Sequence, residues 1–287
     1  MRKEPSFKST KKFDLSAQQL NETANLLYYD THASGYEQSS RHISESNKKR
    51  VDQLLKKYLP LQRDSVKALD VCCGTGFYLS MLIKHMPASQ VFGSDISQEM
   101  LQLASRYTPN LTKASIYDLP YKENSFDIVT ASSALHHLEN ISEALSQIRR
   151  VLKPSGILIT DYDNNYHYAR FAHAKTKLLN IMKIYPLFQR KHNQQNRPNK
   201  SIAQKKNCQH ALDLAQLTQE QLHEFAEPQN QKYNGIHVPK LLKLLRAAGF
   251  SKTQVYLYNS SSWKQVSEFN YWNNLFYNKV CTVSQLA

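Results

Sequence analysis

An α/β protein built on a mostly parallel, doubly wound sheet is what this sequence predicts, and three observations carry the prediction. Short apolar runs alternate with helical patterns from KALDV (67–71) to GILITDY (156–162). Strands separated by helices pair in parallel through right-handed crossovers, which places helices on both faces of the sheet. The first run opens into a glycine turn and then a helix, VCCGTGFYLSML (71–82). Finally, 287 residues with 41% hydrophobic and 10% aromatic content can bury a sizeable core, unlike a disordered chain.

Each element follows from local pattern. Residues 1–12 are polar and basic and read as a frayed tail. Leu15 to Leu59 is helical in pattern, with polar breaks at Thr31–Gly35. Within it Val51, Leu54, Leu55 and Tyr58 fall at i, i+3, i+4 and i+7, so Ser44–Leu59 reads as one helix that Pro60 ends. After the strand at 67–71 come a helix over Phe77–Met86 and a strand at QVFGSDI (90–96). Ser97 is the expected N-cap of the next helix, with Met100, Leu101 and Ala104 on one face. LTKASI (111–116) and FDIVTAS (126–132) read as strands. Ser142–Leu152 is a helix stopped by Pro154 and Gly156, and GILITDY (156–162) is a buried strand. Beyond Asp163 the alternation ends. Tyr168–Phe188 is an amphipathic helix, 189–210 a polar loop, and Val238–Ala248 a helix ending at Gly249. KTQVYLY (252–258) is a strand, Trp263–Tyr277 an aromatic helix, and KVCTVSQL (279–286) a last strand.

Composition narrows the function classes. No uncharged apolar run approaches the roughly 18–20 residues of a transmembrane helix, and MRKEPSFKSTKKFDLS lacks the apolar stretch of a secretory signal. Four cysteines, two of them adjacent (Cys72, Cys73), match neither a disulfide framework nor a C-x-x-C zinc pattern. The expectation is therefore a cytoplasmic protein in a reducing compartment, with no metal and with Cys72 and Cys73 as core thiols. The net charge of +14 is unevenly placed. Residues 60–160 balance 9 Lys/Arg against 9 Asp/Glu, whereas 161–287 carry 17 against 7. Between Asp163 and Asp213 stand ten basic residues and no acidic one.

The chemistry-bearing stretch is ALDVCCGTGFYLSML (68–82). Gly74 and Gly76 let a ligand lie against bare backbone near a helix N-terminus. Nineteen residues after Gly76, Asp95 ends the next strand, where a carboxylate can accept both hydroxyl protons of a ribose. A dinucleotide site uses a third glycine where Leu79 stands here. The carboxylate of Asp70 at the turn entry suits a cationic ligand end better than a pyrophosphate. Both features point to S-adenosylmethionine (SAM).

Taken in order, LDVCCGTG, GSDISQEMLQLA, DLPYKENSFDIVTASSALHHLEN and ALSQIRRVLKPSGILITDY resemble the class I SAM-dependent methyltransferases, in the branch of ubiquinone/menaquinone-type and other small-molecule enzymes. The resemblance is dense over 66–162, and LLKLLRAAGFSKTQVYLY (241–258) adds a weaker match. It implies a Rossmann-like fold: a seven-stranded, mostly parallel sheet with an N-terminal helical cap and a helical insertion after strand five. The implied organisation is a tail and cap (1–59), a SAM-binding core (60–163), a basic insertion or substrate cap (164–236) and a C-terminal completion of the sheet (237–287). It implies that Asp70, Gly74 and Gly76 form the turn for the methionine end, with Cys72 and Thr75 in the same turn. Asp95 would hold the ribose and Ile96 the adenine face. Asp118 would bond the adenine amino group, Leu119 would add a backbone contact, and Ser133 would join the cofactor set. Cys72 stands where the family has a glycine.

Methyl transfer needs alignment and exclusion of water, and a base only for an acceptor that must lose a proton. The reacting atoms belong beyond the C-terminal strand edges, here Ser132–His137 and Asp161–Asp163. His136, His137 and Tyr162 are therefore the catalytic candidates, with the two histidines equally readable as caps of the following helix. Tyr29 and Tyr36, in YYDTHASGYE (28–37), would cover the site with His136 and Tyr162 in the acceptor pocket. The implied reaction is methyl transfer to a small hydrophobic or acidic molecule. The basic segment 168–206 keeps three readings open: a packed substrate cap, a membrane-surface helix on an otherwise cytoplasmic protein, or a phosphate-binding patch for tRNA or rRNA. A non-catalytic scaffold that uses this segment to bind a membrane or partner is a further alternative.

Overall fold

The computed structural model describes residues 15–39, 44–59, 65–168, 222, 225–233, 235–259, 263–266 and 279–287. Most of the basic segment 168–206, with the helix and loop expected there, lies outside the described residues. So does the stretch after Val266 that the sequence reads as an aromatic helix.

The strands are β1 (Ala68–Val71), β2 (Val91–Asp95), β3 (Leu111–Lys113), β4 (Phe126–Ser132), β5 (Leu152–Asn164), β6 (Phe250–Tyr258), β7 (Trp263–Val266) and β8 (Lys279–Leu286). They form one sheet in the order β3-β2-β1-β4-β5-β8-β6-β7. β1 to β5 pair in parallel, whereas β8 runs antiparallel to both β5 and β6, and β7 antiparallel to β6. Among the described residues the sheet thus has eight strands where the sequence predicts seven. The extra one is Trp263–Val266, read from sequence as helix: it pairs with β6 from Tyr258↔Trp263 to Val255↔Val266, and sheet pairing overrides its local pattern.

The helices are α1 (Ala17–Ser39), α2 (Glu45–Tyr58), α3 (Phe77–Leu82), α4 (Gln98–Ala104), α5 (Ile141–Val151), α6 (Pro228–Tyr233) and α7 (Val238–Ala247). α1 runs unbroken through Thr31–Gly35, correcting the expected break. The Thr31 hydroxyl bonds back to the carbonyls of Leu27 and Tyr28 at 2.8 and 2.9 Å, which keeps this polar residue within the helix. α2, α4 and α5 begin where side chains cap them: Ser44, Ser97 and Asn140 accept from the backbone N–H of Asn47, Met100 and Glu143.

Parallel strands covered on both faces are apolar throughout, and alternate residues serve opposite layers. In β4 and β5, Val129 and Leu158 pack with Leu145 and Ile148 of α5 and Leu241 and Leu245 of α7. Their neighbours Ile128 and Ile159 pack the other way, with Val51 and Leu54 of α2 and Leu79 and Leu82 of α3. The strand order reverses around β1, between β2 and β4, so the loops after β1, β2 and β4 converge at one edge. No helix among the described residues is long and apolar enough to cross a membrane.

Candidate functional site

The site grows from the turn after β1. Cys72, Gly74 and Gly76 have φ of +52°, +53° and +89°. A Cβ on Gly76 would sit 2.7 Å from the Tyr107 ring, so conformation and space both demand glycine there. Cys72 takes the left-handed conformation with a side chain, a strain of about 1–2 kcal/mol. Asp70 is buried and accepts the Thr130 hydroxyl at 2.6 Å. Burial pushes its carboxyl up to about 8, with the Thr130 bond opposing and Asp95 adding to the rise. Asp95 accepts the Gly74 N–H at 2.8 Å and the Ser97 N–H at 2.9 Å. Burial raises its carboxyl as well, against these N–H groups.

α1 closes over this turn and is fastened to three loops at the same edge. Asp30 accepts the Ser97 hydroxyl at 2.5 Å after β2, and Glu22 accepts the Ser115 hydroxyl after β3. After β4, Asn21 Nδ2 donates to the His137 carbonyl at 2.8 Å, and the Tyr29 hydroxyl meets His137 Nε2 at 2.7 Å. A cavity remains between α1 and the loops. Asn21, Glu22, Asn25, Tyr29 and Tyr36 line it from α1; Asp70, Cys72, Gly74, Thr75, Asp95 and Ile96 line it from the turn and β2.

Two observations test whether SAM fits. Three carboxylates, Glu22, Asp70 and Asp95, line the cavity, and among the described residues no lysine or arginine does. In a chain of net charge +14 this is a local reversal of sign. Asp70 and Asp95 are buried, and buried carboxylates without a counter-cation are costly; a sulfonium and an ammonium offset that cost, whereas a pyrophosphate aggravates it. The second observation is Asn25, whose Nδ2 donates to the carbonyls of Asn21 and His137 at 3.0 and 3.2 Å. Those two bonds fix the amide orientation, and Oδ1 is left buried with no hydrogen-bond partner among the described residues. A ligand donor would satisfy it. The residues present fit SAM.

Most sequence-predicted residues come together here. Asp70, Cys72, Gly74, Thr75, Asp95, Ile96, Ser133, Tyr29, Tyr36 and His137 line the cavity, and Gly76 shapes its turn. Asp118, Leu119, His136 and Tyr162 do not line it. The Asp118 N–H donates to the Ser115 carbonyl at 3.2 Å, closing a turn that exposes Asp118 and buries Leu119 in the core. Ser115, Ile116 and Tyr117 face the cavity instead. β3 ends at Lys113, so the rule of C-terminal strand edges, applied to β3, would have found them. Tyr162, in β5, has the Lys279 ammonium 4.2 Å over its ring and lies beside the Tyr258 ring at 6.3 Å. Asn21, Glu22 and Asn25 were missed because they sit on a helix distant in sequence. The inward stripe Asn21, Asn25 and Tyr29, spaced by four, was the available signal.

The two histidines differ. His136 is buried and bonds Asp163 Oδ1 through both its backbone N–H and Nδ1, at 3.1 and 2.8 Å. His137 faces the cavity, with Nδ1 on the Ala226 carbonyl at 2.9 Å and Nε2 on Tyr29. His136, His137 and Glu227 bring potential ligand atoms within 4.8 Å of one another, where the sequence predicts no metal site. Protein partners engage both ring nitrogens of His137.

A family described as a methyltransferase domain matches residues 69–160. This stretch is therefore similar to the methyltransferase domains of that family. Over 103 residues the chain is 37% identical to demethylmenaquinone methyltransferase of Staphylococcus aureus, covering 34% of this chain and 43% of that protein. The chain thus spans less than half the length of the curated relatives it matches. Among solved structures, a SAM-dependent methyltransferase of Thermotoga maritima, described as a possible histamine N-methyltransferase, superposes with a TM-score of 0.54 at 15% identity. That match covers 91% of this chain and 99% of the other. The CurJ carbon methyltransferase superposes with a TM-score of 0.50 at 16% identity, covering 96% of this chain and 62% of the other. These two likenesses establish the fold around the methyltransferase domain.

Proposed function

We propose that the chain is a SAM-dependent methyltransferase that acts on a small apolar acceptor. The observation that carries this reading is the cavity charge: three carboxylates and, among the described residues, no basic side chain, at the switch-point edge of the sheet. Asp70 would hold the ammonium end and Asp95 the ribose hydroxyls, with Ile96 against the adenine. When bound, SAM supplies a methyl group already activated on a sulfonium.

The acceptor end would fall among Tyr29, Tyr36, Ser133 and His137. These walls are aromatic, and the carboxylates nearby disfavour an anionic acceptor, so of the two classes the sequence suggests the hydrophobic one fits better. The name of the Staphylococcus aureus relative, a demethylmenaquinone methyltransferase, supports an acceptor of quinone type. Burial pushes the Tyr29 hydroxyl well above the usual phenol range, so near neutral pH it is a neutral donor. Its bond to His137 makes the pair suited to orient a hydroxyl of the acceptor and to hold its proton.

Calorimetric titration with SAM tests the reading: binding in the micromolar range or tighter is expected, and folded protein that gives no binding overturns it. Labelled SAM incubated with fractionated lysate should mark the lipid-soluble small-molecule fraction. Label in RNA or protein instead would refute the acceptor assignment.

A further inference from the structure

We propose that Glu22 is the hydrogen-bond acceptor for the 6-amino group of the cofactor's adenine, so that the N-terminal helix reads the base. The inference rests on the SAM reading above and deepens it. Next to the ribose carboxylate Asp95, the cavity is walled by Ile96, Met100, Ala114 and Ile116, an apolar slot of the kind a flat base fills. A purine in such a slot presents an amino group at its polar edge, and that group needs an acceptor. Asp118, the residue expected there, is exposed and off the cavity.

The acceptors at this end of the slot are Glu22 and Ser115, and they are not equivalent. The Ser115 hydroxyl accepts the Tyr117 N–H at 3.0 Å and donates its only proton to Glu22 Oε1. The serine is therefore a strut whose bonds are spent on the turn and on the carboxylate. The Tyr117 hydroxyl accepts the Asn140 N–H at 3.2 Å, which draws it towards the start of α5. Glu22 retains Oε2 as an acceptor, and the strut aims it. The fastenings at Asp30–Ser97 and Asn21–His137 hold α1 independently on either side of Glu22 along the helix. A carboxylate in this place accepts from an amino group and repels a 6-oxo oxygen, so it selects adenine over hypoxanthine.

The test is calorimetric binding of S-adenosylhomocysteine and of S-inosylhomocysteine, which differ only in the base. Wild type should prefer the adenine compound by about tenfold or more. Glu22→Gln, whose amide can donate to a 6-oxo group, should weaken the adenine compound about tenfold and leave the inosine compound unchanged or tighter. Ser115→Ala should narrow the preference in the same direction by a smaller factor. Equal loss for both compounds would show that Glu22 only clamps α1 and would overturn the inference, as would an undiminished preference in Glu22→Gln. Wild type that binds neither compound would overturn the SAM reading itself, a result distinct from wild type that binds both alike.

Discussion

The backbone N–H of Gly74 donates to Asp95 Oδ2 at 2.8 Å, so the glycine turn after β1 and the carboxylate that ends β2 form one hydrogen-bonded unit. The other carboxylate oxygen takes the Ser97 N–H at the start of α4. Asp95 therefore shapes the turn, and in the proposed reading its remaining lone pairs would take the ribose hydroxyls.

That double role separates two substitutions. Asp95→Asn keeps one oxygen for a backbone N–H but loses the charge, and should weaken SAM binding at least tenfold with the fold intact. Asp95→Ala loses both turn contacts, should abolish binding, and should lower stability by about 1–3 kcal/mol. Calorimetry and thermal unfolding read the two effects separately. Wild-type affinity in Asp95→Ala would contradict the assignment.

Asp70 makes both stability and affinity depend on pH. Burial raises its carboxyl from the ordinary 3.8 to about 8 in the folded ligand-free chain. The folded state thus holds a proton that the unfolded state releases. Its contribution to stability is complete below about pH 4 and is lost as pH rises through about 8. A bound cation favours the carboxylate, so SAM affinity should rise from about pH 5.5 to 7.5 with release of a proton. Asp70→Asn should flatten the pH dependence of stability, raise the ligand-free Tm at pH 8 by a few degrees, and lose SAM binding. A wild-type affinity that does not change over this range would refute the mechanism.

Cys72 reverses the usual ranking of glycine and alanine. At φ +52° alanine keeps the strain and glycine removes it. Cys72→Gly should be more stable than Cys72→Ala by about 1 kcal/mol and should still bind SAM. Chemical denaturation of the pair decides, and a more stable alanine variant would show that the backbone there is unstrained.

Behind the site, Arg50 Nη2 pairs with buried Asp161 Oδ2 at 2.6 Å, and Asp161 also accepts the hydroxyls of Tyr78 and Tyr258, each at 2.7 Å. Arg50→Met would strand the carboxylate and should cost about 3–5 kcal/mol; adding Asp161→Asn should recover much of the loss. Urea unfolding of the single and double variants measures this. No recovery in the double variant would mean that packing of Arg50 on Tyr258, 3.8 Å from the ring centroid, dominates.

Much of this was legible beforehand where a signal is local. The cap at Ser97, the strand 126–132 and the turn at 70–76 each follow from a few adjacent residues. The cavity takes Ser115, Ile116 and Tyr117 rather than Asp118, because a turn closed by Ser115 brings those earlier positions to it. Trp263–Val266 was misread because four residues carry too little periodicity to outweigh pairing with β6.

By itself, then, the sequence determined the alternation of strands and helices and the acidic glycine turn on which the SAM reading rests, because those depend on backbone conformation and on charges close together in the chain. Only the tertiary structure decided that β8 enters antiparallel between β5 and β6, that Glu22 meets Ser115 across 93 positions, and that Asn25 has an oxygen with no partner among the described residues. Such meetings are set by how whole layers pack, and no periodicity within one segment encodes the neighbour that another segment brings.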